Sequence, residues 1–278
     1  MKKYRLATNF IDFDESTFFW TDGKKVYFRG YEIKGADIES FEHFSGSWAK
    51  DRKNCYSGNM KLQGADPSTF EVMNFTYAKD NSSVWTIGGR VIEADIETFE
   101  VCDSGKNSLG FSFRKLDNEQ FIRYEIFVPY GFAKDRNNVY YYDFQGKTKI
   151  VKNAIAESFV SLNDSYFGYD EKAVFCGAKT IPKANPATWK KLQENYFYSK
   201  DESRIYYFNR LIKEADAETF EVVVISNLTG TPLQYAKDKN HYYTNDEICS
   251  KEDFEKEIND DIERNEELKE QWKKSTNA

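Results

Sequence analysis

"WAKDRKNCYSGNMKLQGADPSTFEV" (residues 48–72) and "YAKDNSSVWTIGGRVIEADIETFEV" (residues 77–101) carry the same spacing of aromatic, acidic and small residues. Self-similarity at a fixed period is the signature of a repeat architecture, and it changes how every motif inside it is read. Aligned on the aspartate of "AKD", the pattern recurs at Asp22, Asp51, Asp80, Asp135, Asp170, Asp201 and Asp238, the first three spaced by 29 residues. An aromatic sits three residues before each (Phe19, Trp48, Tyr77, Phe132, Phe167, Tyr198, Tyr235) and another five after (Tyr27, Tyr56, Trp85, Tyr140, Phe175, Tyr206, Tyr243).

The second half of the unit recurs six times. Ile33, Leu62, Val91, Val151, Ile181 and Ile212 precede an alanine by three residues. A hydroxyl follows four residues after that alanine, and Phe41, Phe70, Phe99, Phe159, Trp189 or Phe220 comes next.

The physics of one unit is readable. A short aromatic strand ends at the aspartate, whose carboxylate can close an Asx turn over "DRKN", "DRNN" or "DKNH". A second strand of bulky and β-branched residues follows, then a turn at Gly30, Gly58, Gly88, Gly146 or Gly177, then a return strand. "ADIETF" predicts one helical turn with Asp37, Asp66, Asp95 or Asp216 as N-cap and its aromatic pointing inward. An isolated hairpin is marginal in water, so neighbours must complete the core. The expected fold is therefore mainly β: tandem β-hairpin or meander repeats of about 29 residues with short helical turns and a C-terminal helix. A unit this short favours an open solenoid-like array over the alternative propeller-like ring, whose blades take about 40 residues or more.

The division expected is a lead-in over 1–18, the array over 19–250 with a unique hairpin insertion at 102–131, and an amphipathic helix and tail over 251–278. In the tail, Phe254, Ile258, Ile262, Leu268 and Trp272 share one face at helical spacing and are expected to cover the end of the array.

The turn-plus-strand core, clearest in "AKDRNNVYYYD" (133–143) and "AKDKNHYYTND" (236–246), resembles the DKNYY-repeat family of bacterial proteins. The copies at Asp22 and Asp170 lack the preceding Ala-Lys. The resemblance implies no catalytic residues and no cofactor. It implies a cytoplasmic or envelope-associated interaction protein, some family members being similar to immunity proteins that neutralise toxins passed between competing bacteria.

Composition narrows the classes. Aromatics make up 17% of the 278 residues, too many for a disordered chain. With a net charge of −7 no basic stripe is present, so nucleic acid is not an expected partner and a basic protein is. The start "MKKYRLATNFIDFDESTFFW" has no apolar core for a signal peptide, and no 18-residue apolar run exists, so a cytoplasmic chain without membrane insertion is expected. Cys55, Cys102, Cys176 and Cys249 form no CxxC pair, which fits a reducing compartment and excludes zinc spacing.

Chemistry is sparse. His43 and His241 fall on repeat positions held elsewhere by Val72 and Asn54, a structural placement. One active site does not need seven copies, so the recurring Asp-Lys pairs are turn formers. The D-x-N turns lack the ligand number and distal glutamate of a calcium loop, so no metal is expected. The chain is thus expected to be a non-enzymatic protein-binding module, most concretely an immunity protein occluding the active site of a basic toxin domain. The alternative is a repeat protein that binds carbohydrate or the cell envelope through its aromatic rows. Repeat-breaking segments are where individual function is added, which nominates Phe111, Phe113, Arg114, Phe121, Arg123 and Tyr124 of the insertion. Tyr141, Tyr142, Tyr207 and Tyr242 are expected to alternate onto the outer face, and Trp272 is nominated from the helix.

Overall fold

The computed structural model describes residues 1–116, 121–164, 166–193, 197–225, 228–230 and 233–276. It is mainly β: short antiparallel sheets follow one another along the chain, and one long helix, Lys251–Thr276, comes last. The chain divides into two compact units, Met1–Asn107 with Val128–Gly168, and Ser108–Phe127 with Tyr169–Ala278.

In the first unit the pattern of 77–101 becomes part of a four-stranded meander of Glu71–Val72, Ala78–Lys79, Val84–Thr86 and Gly89–Arg90. Its register places Ala78 opposite Val72 on one side and Trp85 on the other. The strand before each aromatic-Ala-Lys segment is a member that the sequence reading did not separate; it is the "FEV" left after the inward aromatic. The sheet containing Trp48–Lys50 gains a fifth strand, Lys3–Tyr4, on the edge of Glu42–Phe44. In the second unit the same meander recurs as Lys190–Lys191, Tyr198–Lys200, Ile205–Tyr207 and Arg210–Ile212. It recurs again as Glu221–Val223, Tyr235–Lys237, Tyr242–Thr244 and Glu247–Cys249.

The core lies at the joints between repeats. Phe19, Val26, Ile33 and Phe41 of one repeat pack with Ala49 and Tyr56 of the next. The set recurs as Trp48, Cys55, Leu62 and Phe70 with Ala78 and Trp85, and as Tyr77, Val84, Val91 and Phe99 with Ala133 and Tyr140. In the second unit it is Tyr198, Ile205, Ile212 and Phe220 with Ala236 and Tyr243. Phe41, Phe99 and Phe220 each bridge two rings, as when Phe99 lies 5.7 Å from Tyr77 and 5.6 Å from Tyr140. The residue two before the aspartate is small in every repeat but the first, where it is Trp20, and at Gly168 even a Cβ would run into the ring of Phe159.

All seven repeat aspartates use Oδ1 to accept the backbone N–H groups two and three residues on, which is the expected Asx turn. Oδ2 does something further. It accepts the backbone N–H of the residue that opens the preceding helical turn: Asp37 onto Asp51 at 3.0 Å, Asp66 onto Asp80 at 2.8 Å and Asp95 onto Asp135 at 2.7 Å. Asn185 onto Asp201 and Asp216 onto Asp238 repeat this in the second unit. Where the strand residue five later is tyrosine, its phenol donates to the same oxygen, as Tyr56, Tyr140, Tyr206 and Tyr243 do. The hydroxyl of the helical turn accepts in return the N–H just after the next aspartate, Arg52 onto Ser40 and Arg136 onto Thr98 among them. Asp51, Asp80, Asp135, Asp201 and Asp238 therefore each close their own turn and latch the previous repeat.

Candidate interaction surface

Both histidines are held by the scaffold. His43 is buried, its ring stacked 5.2 Å from Tyr4, and its Nε2 lies 3.1 Å from the Arg5 carbonyl; burial lowers its pKa. The backbone N–H of His241 donates into the Asp238 turn. Burial pushes the thiols of Cys55 and Cys102 up to about 12, far from the thiolate that nucleophilic or redox chemistry needs. Among the described residues no group of three His, Cys, Asp or Glu side chains could hold a metal ion.

The insertion is a hairpin of two long strands, Lys106–Lys115 and Phe121–Pro129, rather than a diverged repeat. It grows from the loop between two paired strands, since Glu100 lies opposite Lys134 and Val101 opposite Ala133. Asp103 clamps this neck. Its carboxylate accepts the Gly105 N–H, the Phe132 N–H and the Ser161 hydroxyl, while its carbonyl accepts the Asn74 side-chain amide. Burial raises the Asp103 pKa, against these bonds. Gly131 must be glycine: its φ is +153°, and a Cβ there would strike the Asp103 carboxylate.

The DKNYY family model matches residues 19–141, 48–210 and 198–276. The chain belongs to the DKNYY family. No curated protein and no solved structure matches it.

The DKNYY repeats explain why the nominated residues divide as they do. In the second unit, Phe111 donates its N–H to the Thr229 carbonyl at 2.6 Å, lies against Gly230 and carries the Arg123 guanidinium 3.6 Å over its ring. Phe113 meets Trp272 edge-on at 6.3 Å. These four residues are brought together, and their contacts hold the hairpin to the helix and to the loop at 228–230. Arg114 is exposed and Tyr124 half-buried. The Phe121 side chain lies outside the described residues.

Tyr141, Tyr142 and Tyr207 are not on an outer face. They are 3%, 2% and 6% exposed, because their strands are covered on both sides and alternation no longer separates core from solvent. Tyr141 packs 4.6 Å from Phe132, and Tyr142 joins the core of Tyr77 and Val84. The Tyr207 phenol donates to the Asn245 side chain at 2.7 Å. Burial pushes Tyr142 and Tyr207 up to about 12. The aromatic rows, Tyr27 apart, are therefore core.

Sequence reasoning named Arg123 on the hairpin's second strand but missed Glu125, Ile126 and Phe127. Ile126 and Phe127 are 36% and 38% exposed, and Arg123 and Glu125 are exposed beside them. Their signal was a strand longer than any repeat strand, with no aspartate turn to end it.

The helix starts at Ser250, whose hydroxyl accepts the Asp253 N–H at 3.0 Å and donates back to its carboxylate. Phe254 is buried against Tyr235 and Tyr242, the Tyr235 phenol donates to Asp261, and Asn265 accepts the Leu228 N–H at 2.6 Å. The helix thus covers the last meander, but Ile262 and Leu268 of the expected covering face are 42% and 37% exposed. No helix among the described residues is long and apolar enough to cross a membrane.

Proposed function

We propose that the chain is a non-enzymatic, cytoplasmic protein-binding module, an immunity protein that neutralises an antibacterial toxin by occluding its active site. What supports this reading above all is the outward face of the helix. Glu252, Glu255, Glu263, Glu266 and Glu270 are exposed and fall on one stripe, opposite the buried Phe254 and Asn265. At 1.5 Å per residue the stripe is ~27 Å long, enough to span a substrate cleft. The helix carries ten carboxylates against six basic side chains. A basic toxin cleft would be drawn to such a rod, and opposite charge speeds encounter more than it strengthens the final complex.

The repeats support the same reading from the other side: their recurring aspartates and many of their tyrosines and hydroxyls are engaged in turns and joints, which leaves recognition to the surfaces that the repeats hold out. Co-expression with the product of the neighbouring gene tests the proposal. The expected result is rescue of a toxic neighbour and its co-purification, weakened by Glu252→Lys with Glu263→Lys and by raised salt. A neighbour that is neither toxic nor captured would end it.

A further inference from the structure

Among the described residues the edges of the repeat sheets are short, whereas those of the hairpin are long. The last strands of the meanders, Met60–Lys61, Gly89–Arg90, Lys149–Ile150, Arg210–Ile212 and Glu247–Cys249, are two or three residues long and carry charge. Short charged edges are how β proteins avoid pairing with another chain. The strand Phe121–Pro129 has nine residues and forms one edge of a two-stranded sheet. Its partner strand is tied to the rest of the second unit at Phe111, and its own outward residues include Arg123, Glu125 and Ile126. A long edge with exposed apolar residues is a template for one more strand.

The order of those residues says which strand fits. "IRYEI" (residues 122–126) is self-complementary about Tyr124. If the same segment is laid antiparallel across a two-fold axis at Tyr124, Arg123 faces Glu125 of the other copy, and Glu125 faces its Arg123. Ile122 faces Ile126 in the same way. Opposite charges and apolar pairs directly across an antiparallel ladder are the favourable cross-strand combinations. A two-fold interface requires such self-complementarity.

We propose that this strand pairs with the same strand of a second copy of the chain, joining two hairpins into one four-stranded antiparallel sheet. The inference is independent of the toxin-binding reading, since the helix stripe is not part of the pairing.

Sedimentation velocity on the full chain over ~1 to ~200 µM tests it, a span suited to an interface of one strand pair. A concentration-dependent dimer is expected. Glu125→Arg places like charges opposite each other twice and should weaken association about tenfold or more. Arg123→Glu should do the same, although it also removes the stack on Phe111, so Glu125→Arg is the cleaner variant. The exchange Arg123→Glu with Glu125→Arg restores both pairs and should return the dimer to within about threefold of wild type. A chain that stays monomeric across this range would overturn the proposal. So would a dimer indifferent to Glu125→Arg. Protection of this strand from hydrogen exchange only in the presence of a different polypeptide would assign the edge to that partner and equally overturn self-pairing.

Discussion

Asp22 and Asp135 stand at equivalent places in the repeat and close the same turn, yet they do different work. Asp135 is buried and also accepts the Asp95 N–H and the Tyr140 phenol. Asp22 is exposed; its Oδ2 takes only the Tyr27 phenol among the bonds of the described residues. The difference is the presence of a preceding helical turn in register. At Asp135 the carboxylate is a latch between repeats, and at Asp22 it is only a turn.

The sharpest way to break this comparison is to remove both carboxylates in turn. Asp135→Ala leaves the N–H groups of Asp95, Asn137 and Asn138 without their acceptor and the Tyr140 hydroxyl with the Glu93 carbonyl alone, and should cost about 3–5 kcal/mol by urea denaturation. Asp22→Ala should leave the midpoint close to wild type; equal losses would mean that the turn alone matters. Tyr56→Phe removes one buried phenol bond and should cost about 1–2 kcal/mol, while Tyr27→Phe should be hardly detectable. In the second unit, Trp272→Ala should release the long hairpin, read as faster amide exchange over 108–114 by about tenfold, with the meander strands unchanged.

Acid should act on the latches as a class. Burial pushes Asp51, Asp80, Asp201 and Asp238 up, but their hydrogen bonds outweigh it and hold all four below the ordinary carboxyl range. A depressed folded pKa contributes stability that is complete above about pH 4 and disappears as pH falls through the lower folded values. Asp103 works in the opposite sense, because burial raises it and its cost fades on acidification. Thermal melts from about pH 7 to pH 2 should therefore fall steeply only below about pH 4, the smallest effect per group but one summed over four joints.

Much of this was legible in the residues. The Asx turns follow from an aspartate four residues before a strand, and the helix from its apolar stripe and Ser250 cap. The second use of each aspartate was not legible, because its partner N–H lies 14 residues earlier at Asp37 and Asp51 and 40 residues earlier at Asp95 and Asp135. Tyr141, Tyr142 and Tyr207 were misplaced for a related reason: alternation assumes one wet face, and a strand enclosed on both sides has none. The hairpin was visible as a break in the period, but its docking on Trp272 depends on a helix more than a hundred residues away.

Trp20 occupies the slot that Ala49, Ala78 and Ala133 fill elsewhere, and its indole lies flat against Tyr27 at 4.5 Å. That ring covers the tyrosine face on which an earlier repeat's phenylalanine would otherwise rest, as Phe41 rests on Tyr56. A duplicated module spliced in ahead of Phe19 would meet an occupied seat, whereas one spliced between interchangeable joints would find both its mates waiting.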